Sequence, residues 1–187
     1  MKPLFTVHGG EYLVGSYLER RFKRLSIWIP SRDTGIDLLV SDRKNRRSIS
    51  IQVKFSKDYL VTHKKPEFQE HLRAIGWWAI KTAKLQKSKA DFWVFVLLGF
   101  DRSKDFVVVP KPDLLRRLRA LHGSGNLCQI YLSARKNVEE CWETRPSARS
   151  PLSQSDELRI AQGTYRPQLR NFSKRLNAWK PIERLNR

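Results

Sequence analysis

The sequence predicts an α/β protein: a mixed central β-sheet flanked by helices, with a basic helical extension at the C-terminal end. Three observations predict it. Residues 35 to 54 hold two short apolar–polar alternations on either side of a charged stretch, the pattern of a half-buried hairpin. Residues 92 to 98, Phe-Trp-Val-Phe-Val-Leu-Leu, form a continuous apolar run bounded by charge and Gly99, as expected of a strand buried on both faces. Apolar residues at helical spacing recur upstream of the hairpin and downstream of Pro110.

The elements follow in order. From about residue 11 to 24, Leu13, Val14, Tyr17, Leu18 and Phe22 mark an amphipathic helix with Glu11 in its first turn. A carboxylate there is favoured by the helix dipole, so capping is the simplest role for Glu11. Residues 26 to 29 read as a short strand stopped by Pro30. In the hairpin, Ile36, Leu38 and Val40 share one face with Ile49, Ile51, Val53 and Phe55, and these seven form the expected core face. Asp37, Gln52 and Lys54 point the other way, with Gly35, Leu39 and Ser50 as neighbours. A turn centred on Lys44 and Asn45 sets Asp37 opposite Gln52 and Lys54 opposite Gly35; a one-residue slip would bury the polar set.

Residues 66 to about 87 read as a long helix with Leu72, Ile75, Trp78, Ala79, Thr82 and Leu85 on one stripe. After the strand at 92 to 98, residues 106 to 109 before Pro110 read as another strand, and Leu114, Leu115, Leu118 and Leu121 as a basic helix. Residues 145 to 154, rich in Ser, Pro and Arg, read as a linker or exposed loop. Leu169, Phe172, Leu176, Trp179 and Ile182 then suggest one more amphipathic helix, studded with Arg170, Lys174, Arg175 and Lys180. The expected organisation is a main domain over 1–144 and a basic extension over 145–187.

With 37 Lys and Arg against 18 Asp and Glu, the chain of 187 residues carries a formal charge of +19 and a pI near 10.4. Such an excess implies a strongly anionic partner, with nucleic acid first. No apolar stretch reaches spanning length and no signal-peptide core is seen, so the expectation is a soluble, cytoplasmic protein without membrane partners. Cys128 and Cys141 lack the spacing of a zinc site and read as reduced structural thiols. His8, His63, His71 and His122 are scattered, and no phosphate-cradling P-loop, dinucleotide fingerprint or Gly-x-Ser-x-Gly elbow occurs. The basic clusters expected to follow a nucleic-acid backbone are Arg20 and Arg21; Arg43, Lys44, Arg46 and Arg47; Lys57, Lys64 and Lys65; and Arg116, Arg117 and Arg119. Trp77 and Trp78 read as core rather than as a base-stacking platform.

Gly35-Ile36-Asp37 followed by Gln52-Val53-Lys54 resembles the motif of the PD-(D/E)xK nuclease superfamily, the restriction-endonuclease-like fold, in its Mrr-like and Holliday-junction-resolvase-like branches. The upstream Gly10-Glu11 is similar to the opening of the first helix in those branches. The likeness covers roughly residues 8 to 56. It departs from the superfamily pattern where Gln52 replaces a second carboxylate and where Thr34-Gly35-Ile36 precedes the Asp. The resemblance implies a Mg²⁺ or Mn²⁺ site with Asp37 as central ligand, Glu11 as second, the Val53 carbonyl as third and the Gln52 side-chain oxygen as a weaker fourth. Lys54 would orient or deprotonate the attacking water. Glu19, two turns along, is the alternative helix ligand. The function so implied is a divalent-metal-dependent endonuclease acting on double-stranded or branched DNA, with a homodimer where both strands are cut. The alternatives are a catalytically weak or inactive DNA-binding module on the same fold, and a basic RNA-binding protein.

Overall fold

Two sheets pack on each other in the computed structural model of this protein, which describes residues 9–31, 34–56, 66–99 and 103–186. The first helix, α1 (Gly9–Arg21), leads into β1 (Leu25–Trp28), β2 (Leu38–Asp42) and β3 (Ser48–Phe55). Then come α2 (Pro66–Gln69), β4 (Leu72–Lys81), α3 (Thr82–Lys87), β5 (Phe92–Leu98), β6 (Lys104–Pro110) and α4 (Lys111–His122). The chain ends with β7 (Leu127–Arg135), β8 (Cys141–Glu143), α5 (Gln154–Gln162), two 3₁₀ turns at Gln168–Arg170 and Ser173–Arg175, and α6 (Lys180–Leu185). The larger sheet has the order β1-β2-β3-β5-β6 and is mixed, since β3 and β5 run parallel and the other pairs antiparallel. The smaller sheet has the order β4-β7-β8. The α/β expectation therefore holds.

Strand β5 is buried on both faces because layers cover both. On one side Val94 and Val96 meet Val14 and Leu18 of α1 and Ile182 and Leu185 of α6, together with Phe106, Val108 and Trp179. Tyr17, Phe106 and Trp179 form an aromatic cluster there, with ring centroids 4.9 to 5.4 Å apart. On the other side Trp93, Phe95 and Leu97 meet the smaller sheet through Trp78, Ile80, Ile130 and Leu132, with Leu114 and Leu118 of α4 and Phe172 closing the layer.

The long helix expected over 66–87 is replaced by α2, the ten-residue strand β4 and α3. Leu72, Ala74, Gly76, Trp78 and Ile80 all lie buried at a period of two, and this alternation governs the segment. Gly76 is part of the reason, because the Trp78 indole lies across it where a Cβ would collide. A tertiary partner decides the rest: nine residues of β4 pair with β7, a strand the sequence did not announce.

The C-terminal helix expected through 169–182 is likewise two 3₁₀ turns and the short α6, while α5 occupies 154–162 behind a capping box of Ser153 and Asp156. Phe172 and Leu176 enter one core and Trp179, Ile182 and Leu185 the other. Arg170, expected among the basic residues that stud this helix, is 1% exposed, and its side chain donates to the Glu143 carboxylate. Of the seven expected core residues of the hairpin, Phe55 is 38% exposed and Ile36 and Ile49 are half-buried, while Leu38, Val40, Ile51 and Val53 are buried.

Both cysteines are buried free thiols. Burial, with the Glu143 charge, pushes the Cys128 thiol up to about 12, and burial pushes Cys141 up as well, which keeps thiolate chemistry from both near neutral pH. Among the described residues no helix is long and apolar enough to cross a membrane.

Candidate functional site

The β2–β3 ladder has the register its alternation predicts. Leu38 pairs with Ile51, Leu39 with Ser50 and Val40 with Ile49, and the Asp37 N–H donates to the Ile51 carbonyl at 2.8 Å. That bond is offset by one residue from the ladder, so Asp37, just before β2 begins, lies beyond the paired residues and meets Gln52 through its side chain. One oxygen of its carboxylate, Oδ2, accepts from the Val53 N–H at 2.7 Å and from the Gln52 side-chain amide. The carboxylate is 7% exposed, and burying it without such donors would be costly. Within a strand the N–H and C=O of one residue leave on the same side, so the Val53 carbonyl faces the same edge, past the start of β2.

Glu11 reaches this edge because α1 starts on β3. A Cβ on Gly10 would lie 2.5 Å from the Phe55 Cβ and 3.2 Å from Val53, so only glycine lets the helix come so close. The close approach places Glu11, 5% exposed, in the first turn above Val53 and Phe55. Glu19 is exposed and lies outside the cavity, so of the two candidate acids the fold brings Glu11 to the site. Lys54 follows on the same face of β3 as Gln52, and its ammonium lies 5.1 Å from the centre of the buried Trp93 ring, which positions the side chain by a cation–π contact.

Glu11, Asp37, Gln52, Val53 and Lys54 all line one open cavity of about 720 Å³. Its far wall comes from α3 and the turn after it, through Ala83, Lys84, Lys87 and Ser88. That turn is pinned from α4, where Lys111 donates to the Ser88 carbonyl. Lys84 and Lys87 were not among the residues singled out from sequence. Their signal was the three-residue spacing of Lys81, Lys84 and Lys87, masked by assigning the whole region to one amphipathic helix.

Matches to known proteins are lacking. No family model, no curated protein and no solved structure matches this chain.

The basic residues expected to hold nucleic acid divide by position. Arg43, Lys44, Arg46 and Arg47 sit at the hairpin turn, about 20 Å along the strands from Asp37 at 3.3 Å per residue. There the Arg46 N–H and the Arg47 side chain hold the Asp42 carboxyl below its usual range against its partial burial. Arg20 and Arg21 end α1, about 13 Å from Glu11 at 1.5 Å per residue, and Arg21 lies 3.9 Å from Glu183. Neither group adjoins the cavity. Lys57, Lys64 and Lys65, with His8 and His63, lie outside the described residues.

As a donor set the site is all oxygen: two carboxylates, a main-chain carbonyl and an amide. That suits a hard cation such as Mg²⁺ or Mn²⁺, which keeps several waters and needs few protein ligands. Among the described residues no three His, Cys, Asp or Glu side chains converge, and the acids that line the cavity are Glu11 and Asp37. Gln52 presents its nitrogen to Asp37, and its amide must turn over to offer oxygen instead.

Proposed function

We propose that this protein is a divalent-metal-dependent nuclease that hydrolyses DNA phosphodiester bonds on a restriction-endonuclease-like fold. The observation that carries the reading is the convergence of Glu11, Asp37, Gln52, Val53 and Lys54 on one cavity in a chain of formal charge +19. Glu11 and Asp37 would hold the cation, with the Val53 carbonyl beside them. The cation supplies charge neutralisation on the phosphate and a more acidic water. Lys54, steadied on Trp93, orients that water and offsets charge growing on the phosphoryl oxygens. Gln52 holds the Asp37 carboxylate in the sheet-edge orientation through its amide.

The test is cleavage of supercoiled plasmid, single strands and branched junctions with Mg²⁺ or Mn²⁺, comparing wild type with Asp37→Ala and Lys54→Ala. Metal-dependent cutting lost in both variants supports the reading. Cutting that survives Asp37→Ala places the chemistry elsewhere.

A second reading is favoured by one specific observation. With two carboxylates in the cavity among the described residues and the Gln52 nitrogen turned to Asp37, the site has one negative charge fewer than a three-acid site, which fits a DNA-binding module with feeble or no catalysis. Titrating Mn²⁺ into wild type and Asp37→Ala separates the two, because a pure binder shows no metal affinity that depends on Asp37.

A further inference from the structure

A site that cuts a polyanion must also hold it, and besides Lys54 the cations lining the cavity belong to α3. Lys84 and Lys87 are exposed, three residues apart and therefore on one helical face, and both line the cavity. On its other side α3 buries Leu85 against α4, and a crevice there joins Leu85 and Thr82 to Leu115 and Arg119. Leu115 and Arg119 also floor a shallow depression of about 610 Å³ whose other basic walls are Arg116 and Arg149. Arg149 reaches the Arg119 carbonyl at 3.5 Å, and Arg116 is tied to Asp113. Among the described residues no carboxylate pairs with Lys84, Lys87, Arg119 or Arg149. Near the ends remote from the cavity Arg47 and Arg21 each have an acidic neighbour, while Arg43, Lys44 and Arg46 at the same turn, like the α3 cations, have no carboxylate pair among the described residues; what sets the α3 cations apart is their place in the cavity wall. Lys84 and Lys87 at the cavity and Arg119 and Arg149 across the α3–α4 crevice thus form a row of cations that no carboxylate among the described residues neutralises, and such a field attracts an anion.

We propose that this row is the track of a duplex DNA backbone. Lys84 and Lys87 hold the phosphates beside the bond at Asp37, and Arg119 and Arg149 receive the same backbone beyond α3. The inference rests on the nuclease reading only for the chemistry at its Asp37 end. It moves the main nucleic-acid face from the hairpin turn to α3 and α4.

The experiment is the affinity for a duplex of about 30 base pairs, measured by fluorescence anisotropy from about 50 to 200 mM salt. The proteins are wild type, Lys84→Ala/Lys87→Ala, Arg119→Ala/Arg149→Ala and Arg43→Ala/Arg46→Ala, each confirmed folded by its thermal melt. Each phosphate contact adds about 0.9 to the salt slope, so losing two shrinks the loss of affinity over that range by about tenfold. The α3 and α4 variants are expected to show this change, Lys84→Arg/Lys87→Arg to restore it, and the turn variant to stay near wild type. A wild type that binds and cuts while both the α3 and α4 variants keep its salt slope overturns the track and leaves the nuclease reading standing. Salt-steep binding that depends on Lys84 and Lys87 without any cleavage does the reverse. A slope change confined to the turn variant also overturns the track.

Discussion

Asp37 and Gln52 meet through their side chains at the end of the β2–β3 ladder, where the Gln52 amide donates to the same carboxylate oxygen that accepts from the Val53 N–H. Gln52 thereby orients a buried acid without adding charge. Replacing it tests both roles. Gln52→Ala removes a hydrogen bond to a charged group, about 1.5–3 kcal/mol, and is expected to lower the melting temperature. Gln52→Glu sets a carboxylate against Asp37, so the metal-free protein should also melt earlier, but Mn²⁺ should raise its melting temperature more than it raises that of wild type. Equal Mn²⁺ shifts in wild type, Gln52→Glu and Asp37→Ala would mean that no cation binds at this edge.

Gly10 controls whether Glu11 reaches the site. In Gly10→Ala the new methyl meets the Phe55 Cβ at 2.5 Å, so α1 must lift from β3 and carry Glu11 with it. Overpacking of this kind costs about 1–3 kcal/mol, readable in urea unfolding, and any metal-dependent cleavage should fall further than stability does. Phe55→Ala does not rescue it, because the collision is with the Cβ that alanine keeps. Rescue by Phe55→Ala would show that ring contacts, and not backbone proximity, set the helix position.

Asp113 joins α4 to the C-terminal segment, accepting from Arg116 at 2.6 Å, Arg117 at 3.1 Å and Arg175 at 3.0 Å. Burial works against its ionisation, but the Arg116 hydrogen bond and the Arg117 and Arg175 charges outweigh it and hold the carboxyl below its usual range. With the folded pKa below the unfolded value of about 3.9, its contribution is present above that value and is lost as pH falls through the folded pKa. Asp113→Asn should therefore lower stability by about 1–3 kcal/mol at pH 7 and converge on wild type under strongly acidic conditions. A constant difference from about pH 7 to 2 would show that the loss is packing and not charge.

The hairpin register was legible because its signals agree. Leu38 and Val40 keep one parity on β2 and Ile51 and Val53 one parity on β3, and the turn holds Asn45 at a φ of 53°, a conformation asparagine tolerates. Strand β4 was not legible for the opposite reason. Leu72, Ile75, Trp78 and Leu85 satisfy a helical stripe as well as Leu72, Ala74, Trp78 and Ile80 satisfy a strand, since its outer face also carries apolar Ile75 and Trp77. Pairing with β7, some fifty residues away, decided between them. The carboxylates and Lys54 were visible as local pattern, whereas Lys84 and Lys87 came to the cavity only once β4 returned α3 to it. The burial of Arg170 was not legible because nothing local in the sequence announces its partner, Glu143.

That buried pair supports the last prediction. Arg170 donates to the Glu143 carboxylate, to the carbonyl of Arg145 at 3.0 Å and to the carbonyl of Ser150 at 2.5 Å, so one guanidinium closes the segment between β8 and α5. Glu143 is fully buried and also accepts from the Arg145 N–H at 2.9 Å. Removing the arginine strands a buried carboxylate, and breaking such a pair typically costs about 3–5 kcal/mol. Arg170→Met is expected to lose that much by chemical denaturation. Arg170→Met/Glu143→Leu should lose less than the single variant, because it removes the stranded charge as well as its partner. The three carbonyl contacts of Arg170, counting the Glu143 carbonyl at 3.3 Å, stay unmet in both variants, so recovery will be partial. A double variant no more stable than Arg170→Met would mean that closure of the loop carbonyls, not the ion pair, is what Arg170 contributes.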